Sequence, residues 1–391
     1  MDEVPFGFRL PEDHSLFEQP SDDPALTPDR VSPAIEGYFR IPAVWIGDAP
    51  QDDAVRCVNP AVHHQIVLTM TLKCGIEARV QRDGTFWFDF ATWAPAPQIV
   101  IPGYRRPDPE GPWRIPRFHQ EADDQAEEYA VVRARVMNAH QACLTSSEAV
   151  VRGRGAMMGF PVTVWSTEKG ISWRALRTYQ DDTENVQALA RNFLNNSCGI
   201  RRDRPLARRS IELEVVKHSL QVLDGILIQG NASLIQLVET AYMAACRGTE
   251  KRFGEALTLA WSVCEQIIFL IWTTYLNDTS NREGTGPIPK DRRERLAGRD
   301  YTAAIIIETL ELAGRLDRDT YRMLDLCRRA RNKWVHQLKS PKESDANLCI
   351  RAAQTLLQRT FDVHLRLQAG GRGGVPKWPV WIWEQVKTDE R

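Results

Sequence analysis

Lysine is scarce in this chain. Of 391 residues 50 are basic, and only ten of these are Lys against 40 Arg. Formal net charge is −1, so the whole-chain field favours neither a polyanion nor an anionic membrane. No C-x-x-C pair occurs among the eight cysteines (57, 74, 143, 198, 246, 264, 327 and 349). That excludes zinc ribbons and a disulfide framework. The N-terminal stretch MDEVPFGFRLPEDH is acidic and has no apolar h-region. The longest uninterrupted apolar run, 267–272, is far too short to span a bilayer. These absences predict a cytoplasmic protein without a membrane span, its cysteines buried as free thiols in reducing surroundings. Internal repeats and low-complexity tracts are also lacking.

What is present is an ordinary globular balance, 43% hydrophobic and 26% charged, with enough length for two or three domains. Residues 1–34 read as a flexible acidic arm, because the first 30 hold eight acids, two bases and five Pro. Residues 35–182 read as a β-rich sensor or regulatory domain. GYFRIPAVWIG and QIVLTMTLKCGIEARV are β-branched and partly alternating, and Arg82-Asp83-Gly84 turns the second into FWFDFATW. A second hairpin is expected around Glu168-Lys169-Gly170, a helix over 121–142, and a Pro-rich loop before it. Residues 183–369 read as a helical domain, and 370–391 as a Trp-rich tail after a Gly-rich hinge. The fold class expected is therefore α+β.

Within the helical half, TENVQALARNFLNN and RRSIELEVVKHSLQVLDGIL are expected helices. Asn231 is expected as an N-cap and Gly248 as a stop. The stretch 250–276 is apolar nearly all round and is expected to be central. Ser340-Pro341-Lys342-Glu343 resembles a capping box that would start a last helix running to about 367.

Five Arg residues are followed five positions later by His: Arg9/His14, Arg114/His119, Arg135/His140, Arg331/His336 and Arg359/His364. With this much Arg, about one such pair arises by chance, so the spacing alone decides nothing. Of these five, only Arg331 is followed directly by Asn. It also lies on an expected helix, and residues 320–342 hold seven bases against one acid, Asp325. Asn332 and His336 are four apart and share a helix face, with Arg328 one turn earlier. Arg331 is about 140° around from His336, within reach of a long guanidinium arm. Leu324, Cys327, Trp334 and Leu338 are expected to form the apolar stripe beneath.

Arg331-Asn332-Lys333-Trp334-Val335-His336 resembles the R-N-x-x-x-H signature of the HEPN superfamily (higher eukaryote and prokaryote nucleotide-binding domains). ALTLAWSVCEQII, with Trp261 and Glu265, resembles the long central helix of that family, and the resemblance covers about 230–367. It implies a helical bundle and a metal-independent endoribonuclease with no cofactor. His336 would be general acid or base, Arg331 would neutralise the transition-state phosphorane, and Asn332 would orient the motif or bind phosphate. Arg328, Arg329, Lys333 and Lys339 would contact RNA phosphates. Because such sites are composite, the resemblance implies a homodimer; the intramolecular alternative pairs the motif with Arg135/His140. It also implies a role in antiviral defence, abortive infection or toxicity, with a trigger sensed by the front half. The alternative is a non-catalytic HEPN module that dimerises or binds nucleic acid or nucleotide, its front half sensing a ligand.

Other features have plainer readings. His63-His64 has no third metal ligand at useful spacing. Trp378, Trp381 and Trp383 could stack bases but more simply pack on the body. Arg201, Arg202, Arg204, Arg208 and Arg209 form a nucleic-acid contact or an exposed linker.

Overall fold

In the computed structural model, residues 35–40, 44–49, 65–96, 120–152, 165–167, 170–172, 177–178, 209–280, 288–296, 298 and 301–368 are described, with a few isolated positions besides. The acidic arm, the Pro-rich stretch 97–119, His63-His64, the helix expected over 183–196, Arg201 to Arg208 and the Trp-rich tail lie outside them. So do Arg9/His14 and Arg114/His119.

Asp83-Gly84 makes the turn that its chemistry demands. Gly84 has φ +87°, and the Asp83 carboxylate accepts the Thr85 N–H at 3.1 Å. The turn joins β4 (Glu77–Gln81) to β5 (Thr85–Asp89). With β1 (Ile35–Phe39), β3 (Ile66–Thr71) and β8 (Arg177–Thr178) they form an antiparallel sheet of order β3-β4-β5-β1-β8. β5 is buried from Thr85 to Phe88, as a strand covered on both faces must be. A small antiparallel pair, β6 (Trp165–Thr167) and β7 (Gly170–Ser172), matches the second expected hairpin. β2 (Val44–Ile46) pairs in parallel with β9 (Arg209–Ile211). The helix expected from residue 208 therefore begins later, because residues 209–211 first pair with β2 as a strand.

The helices are α1 (Gln120–Arg152), α2 (Leu213–Leu227), α3 (Ala232–Thr249), α4 (Phe253–Ser280), α5 (Lys290–Leu296), α6 (Ala303–Leu312), α7 (Arg318–Gln337) and α8 (Glu343–Phe361). Strands first and a helical bundle after make the fold α+β. Asn231 caps α3 as its position suggests, accepting the Leu234 N–H at 3.2 Å. Two other boundaries differ from expectation. α8 starts at Glu343, not after Ser340, because Asp345 accepts the Lys342 N–H at 2.8 Å. It stops at Phe361 because Asp362 turns left-handed (φ 55°). Residues 362–368 then run back along α8, where Gln354 bonds both backbone groups of Leu367.

α4 is central, packed on α3, α6, α7 and α8. Its length and an 18-residue window of mean hydropathy 1.5 would suffice to cross a membrane. The short uninterrupted run 267–272 understates this, since a few polar residues do not stop a helix from being apolar overall. Half of that window is nevertheless buried inside the protein, including Ala260, Cys264, Ile267 and Ile268. Trp272 donates its indole N–H to Leu296 O at 3.0 Å and stacks on Tyr275 and Tyr301, pinning α5 to α4.

α1 extends ten residues beyond expectation and lies between sheet and bundle. One hydrophobic cluster runs without a break from Phe86 and Phe88, across α1, to Leu223 and Val238. Yet the buried part of α1 is rich in polar residues. Arg133 pairs with Glu36 of β1, both 1% exposed. Asn138 donates to Glu239 at 2.8 Å, Gln141 accepts from Tyr242 at 3.2 Å, and Ser147 meets His218 at 2.8 Å. Glu148 pairs with Arg209 of β9.

His140 stands at the middle of this seam, fully buried. Its Nδ1 lies 2.7 Å from the Tyr38 hydroxyl and its Nε2 3.2 Å from Ser219 Oγ. Ser219 spends its own proton on Val216 O at 2.7 Å, so Nε2 carries the hydrogen and Nδ1 accepts from Tyr38. Burial, with the nearby Arg40 charge, pushes the imidazole pKa down to about 3 from an ordinary 6.5. The unfolded chain takes up a proton below pH 6.5 and the folded one only near pH 3. Stability held above pH 6.5 is thus lost as pH falls through that window, at up to about 1.4 kcal/mol per unit. Urea titrations at pH 7 and pH 5 should differ by about 2 kcal/mol through this group. The difference should shrink in His140→Gln, and an unchanged slope would contradict the assignment.

Candidate functional site

The motif helix α7 is held by a seam of residues spaced alternately four and three apart. Thr320, Leu324 and Cys327 are buried, and Trp334 is half-buried. The next position in that rhythm after Cys327 is Arg331. It therefore faces inward, at a place where a bundle ordinarily puts Leu or Ile. Its Nε is buried with no hydrogen-bond partner among the described residues, while Nη1 donates to Asn332 Oδ1 at 3.2 Å. Leu338, expected to close the stripe, does not. α7 ends at Gln337, Leu338 turns left-handed (φ 51°), and its side chain is 77% exposed.

Two contacts fix the rotation of α7. Trp334 lies against the start of α4, where a Cβ on Gly254 would sit 2.5 Å from two indole carbons. Only the missing side chain lets the indole in. Cys327 meets Cys349 of α8, which also touches Cys264 of α4. Cys349 Sγ donates to Leu257 O at 3.8 Å, and Cys264 Sγ to Cys349 O at 3.9 Å. The hydrogen bond to Cys349 and burial push the Cys327 thiol above the ordinary range, so these sulfurs act as core groups. Among the described residues no group of three His, Cys, Asp or Glu is placed to hold a metal ion.

The outer face of α7 carries the rest of the motif. His336 is exposed and bonds to neither Arg331 nor Asn332. Arg328 and Arg329 are not free cations: Asp325 takes both, at 2.8 and 2.7 Å. Partial burial opposes ionisation of Asp325, but the bonds from these two arginines prevail and hold its carboxyl below the usual range. Lys333 and Lys339 are exposed, with no ion pair among the described residues. The structure thus joins Arg331 to Asn332, ties Arg328 and Arg329 to Asp325, and leaves His336, Lys333 and Lys339 in solvent.

The other Arg/His matches that are described fall away. His140 is buried, and Arg135 pairs with Glu239 at 3.5 Å, so these two cannot complement the motif within one chain. Arg359 is engaged by Asp317 and Thr320, and His364 lies by Asp362. Sequence reasoning missed Asp325 as the organiser of the basic face, although its spacing of three and four to Arg328 and Arg329 was the signal. It also missed Gly254, whose signal was a glycine in the first turn of a helix with no turn to make.

No family model matches the chain, and neither a curated protein nor a solved structure matches it.

Gly254→Ala should destabilise the protein by about 1–3 kcal/mol through overpacking against Trp334. In a double-mutant cycle measured by denaturant unfolding, Trp334→Leu should recover part of that loss. Arg331→Met should be neutral or stabilising by about 1 kcal/mol, since an apolar side chain suits a seam position better than a half-satisfied guanidinium. A large loss in that variant would mark Arg331 as structural.

Proposed function

We propose that α7 carries the active site of a metal-independent endoribonuclease of HEPN type, acting in the cytoplasm and controlled by the β-rich front half. The observation that carries this reading is the placement of Arg331. A guanidinium on a core-facing seam, its Nε desolvated and unpartnered, is costly. Such a cost is retained where the charge has work to do at the surface, and Arg331 is only partly buried, beside Asn332. Arg331 would stabilise charge on a scissile phosphodiester and Asn332 would hold that guanidinium in place. His336, exposed to substrate, would move the proton while the RNA 2′-hydroxyl attacks, leaving a cyclic phosphate and a 5′-hydroxyl. Lys333 and Lys339 are the free cations best placed for RNA phosphates, with Arg328 and Arg329 shared with Asp325. Antiviral defence or abortive infection is the setting the resemblance implies.

One observation favours the second reading, a non-catalytic HEPN module for dimerisation or nucleotide binding: within one chain His336 does not meet Arg331. A homodimer in which His336 of one copy faces Arg331 of the other would answer it.

The test is cleavage of total RNA by the purified full chain in EDTA. Cleavage leaving 2′,3′-cyclic phosphate ends is expected, reduced at least about 100-fold in His336→Ala and in Arg331→Ala. Intact RNA at excess protein, or variants as active as the parent, would sink the proposal.

A further inference from the structure

A groove of about 450 Å³ opens between α4, the end of α8 and the turn that joins α6 to α7. That volume lies in the range of small-ligand sites. Leu316 and Leu356, both buried, give it an apolar floor, and Tyr275 forms an aromatic wall. Two guanidiniums line it from different elements, Arg315 from the α6–α7 turn and Arg359 from the last turn of α8.

Each guanidinium is aimed by an aspartate that uses only one of its nitrogens. Asp278 takes Arg315 Nη2 at 2.7 Å, and the Arg315 Cζ lies 5.8 Å from the Tyr275 ring centre. Asp317 takes Arg359 Nη1, which also reaches Thr320 Oγ1 at 2.9 Å. Among the described residues Nε and the second terminal nitrogen of each have no hydrogen bond. An arriving oxyanion can therefore complete both forks without displacing either aspartate.

We infer that this groove binds a small anion with an apolar body. Its carboxylate or phosphate head sits on Arg315 and Arg359, and its body lies on Tyr275, Leu316 and Leu356. The site is independent of the ribonuclease reading: Leu316 and Arg331 are separated by about two-thirds of α7, roughly 20 Å along the axis.

The probe is 8-anilinonaphthalene-1-sulfonate, an aromatic body with one anionic head, titrated by fluorescence into the folded full-length protein. One saturable site is expected. Arg315→Gln with Arg359→Gln should weaken it by about tenfold or more. Binding of the neutral analogue N-phenyl-1-naphthylamine should be unchanged by that pair. Thr274→Trp, which fills the groove from an exposed position on its wall, should abolish binding of both dyes. Unfolding midpoints near that of the parent would confirm that the variants fold. Displacement by dodecanoate or by dodecyl phosphate supports the site and names the headgroup, whereas displacement by neither overturns it. So does an absence of saturable binding, or binding that neither set of substitutions alters.

Discussion

The polar seam along α1 is the constraint on which the rest of the molecule depends. A helix buried on all sides is ordinarily apolar, yet this one carries Arg133, Asn138, His140, Gln141, Ser147 and Glu148 into the interior. Each is tolerable only because another element supplies its partner: β1 for Arg133 and His140, α2 for His140 and Ser147, α3 for Asn138 and Gln141, β9 for Glu148. An apolar helix could slide or rotate against its neighbours at small cost. This one cannot, because a shift would strand several buried donors and acceptors together. Sheet and bundle are therefore held in one register by hydrogen-bond geometry as much as by burial of hydrophobic surface.

The motif helix obeys a different logic. It is anchored at its first two-thirds by Leu324 and Cys327 and near its end by Trp334 on Gly254. Between those anchors, Arg331 occupies an inward position without cross-element partners of the kind Arg133 has in Glu36 and the Ala96 carbonyl. The contrast within one molecule is informative. Arg133 is paired across elements, whereas Arg331 keeps a buried Nε without a partner among the described residues, beside Asn332.

Much of the fold was legible in the sequence because local chemistry decided it. Asp83-Gly84 makes its turn, Asn231 caps its helix, and the apolar stretch through Trp261 is central. What was illegible depended on neighbours distant in sequence. Nothing near residue 152 announces that α1 continues so far, because its buried polar residues read as a solvated face until their partners are known. Ser340-Pro341 looked like a helix start, but Asp345 competed for that role and won by bonding the Lys342 N–H. At the site, their four-residue spacing puts Asn332 and His336 on one face of α7, with Asn332 partly buried and His336 exposed. Periodicity put Leu338 in the stripe because the helix was assumed to continue; the left-handed turn at that residue removed it and left Arg331 as the inward neighbour of Trp334. The groove around Tyr275 had no sequence signature, since its parts come from three separate elements.

The short return segment after α8 has a consequence for synthesis. The Arg366 N–H donates to Ser146 Oγ at 2.8 Å, across a separation of 220 residues. Val363, Leu365 and Leu367 are buried in the same segment. During translation Ser146 leaves the ribosome 220 residues ahead of Arg366, so this end of α1 waits for the segment that covers it. Until then the nascent protein holds an incompletely covered helix whose polar groups invite water and wrong partners. A chain broken off just after Phe361 would keep helices α1 to α8 and still lack the segment that closes this end of α1.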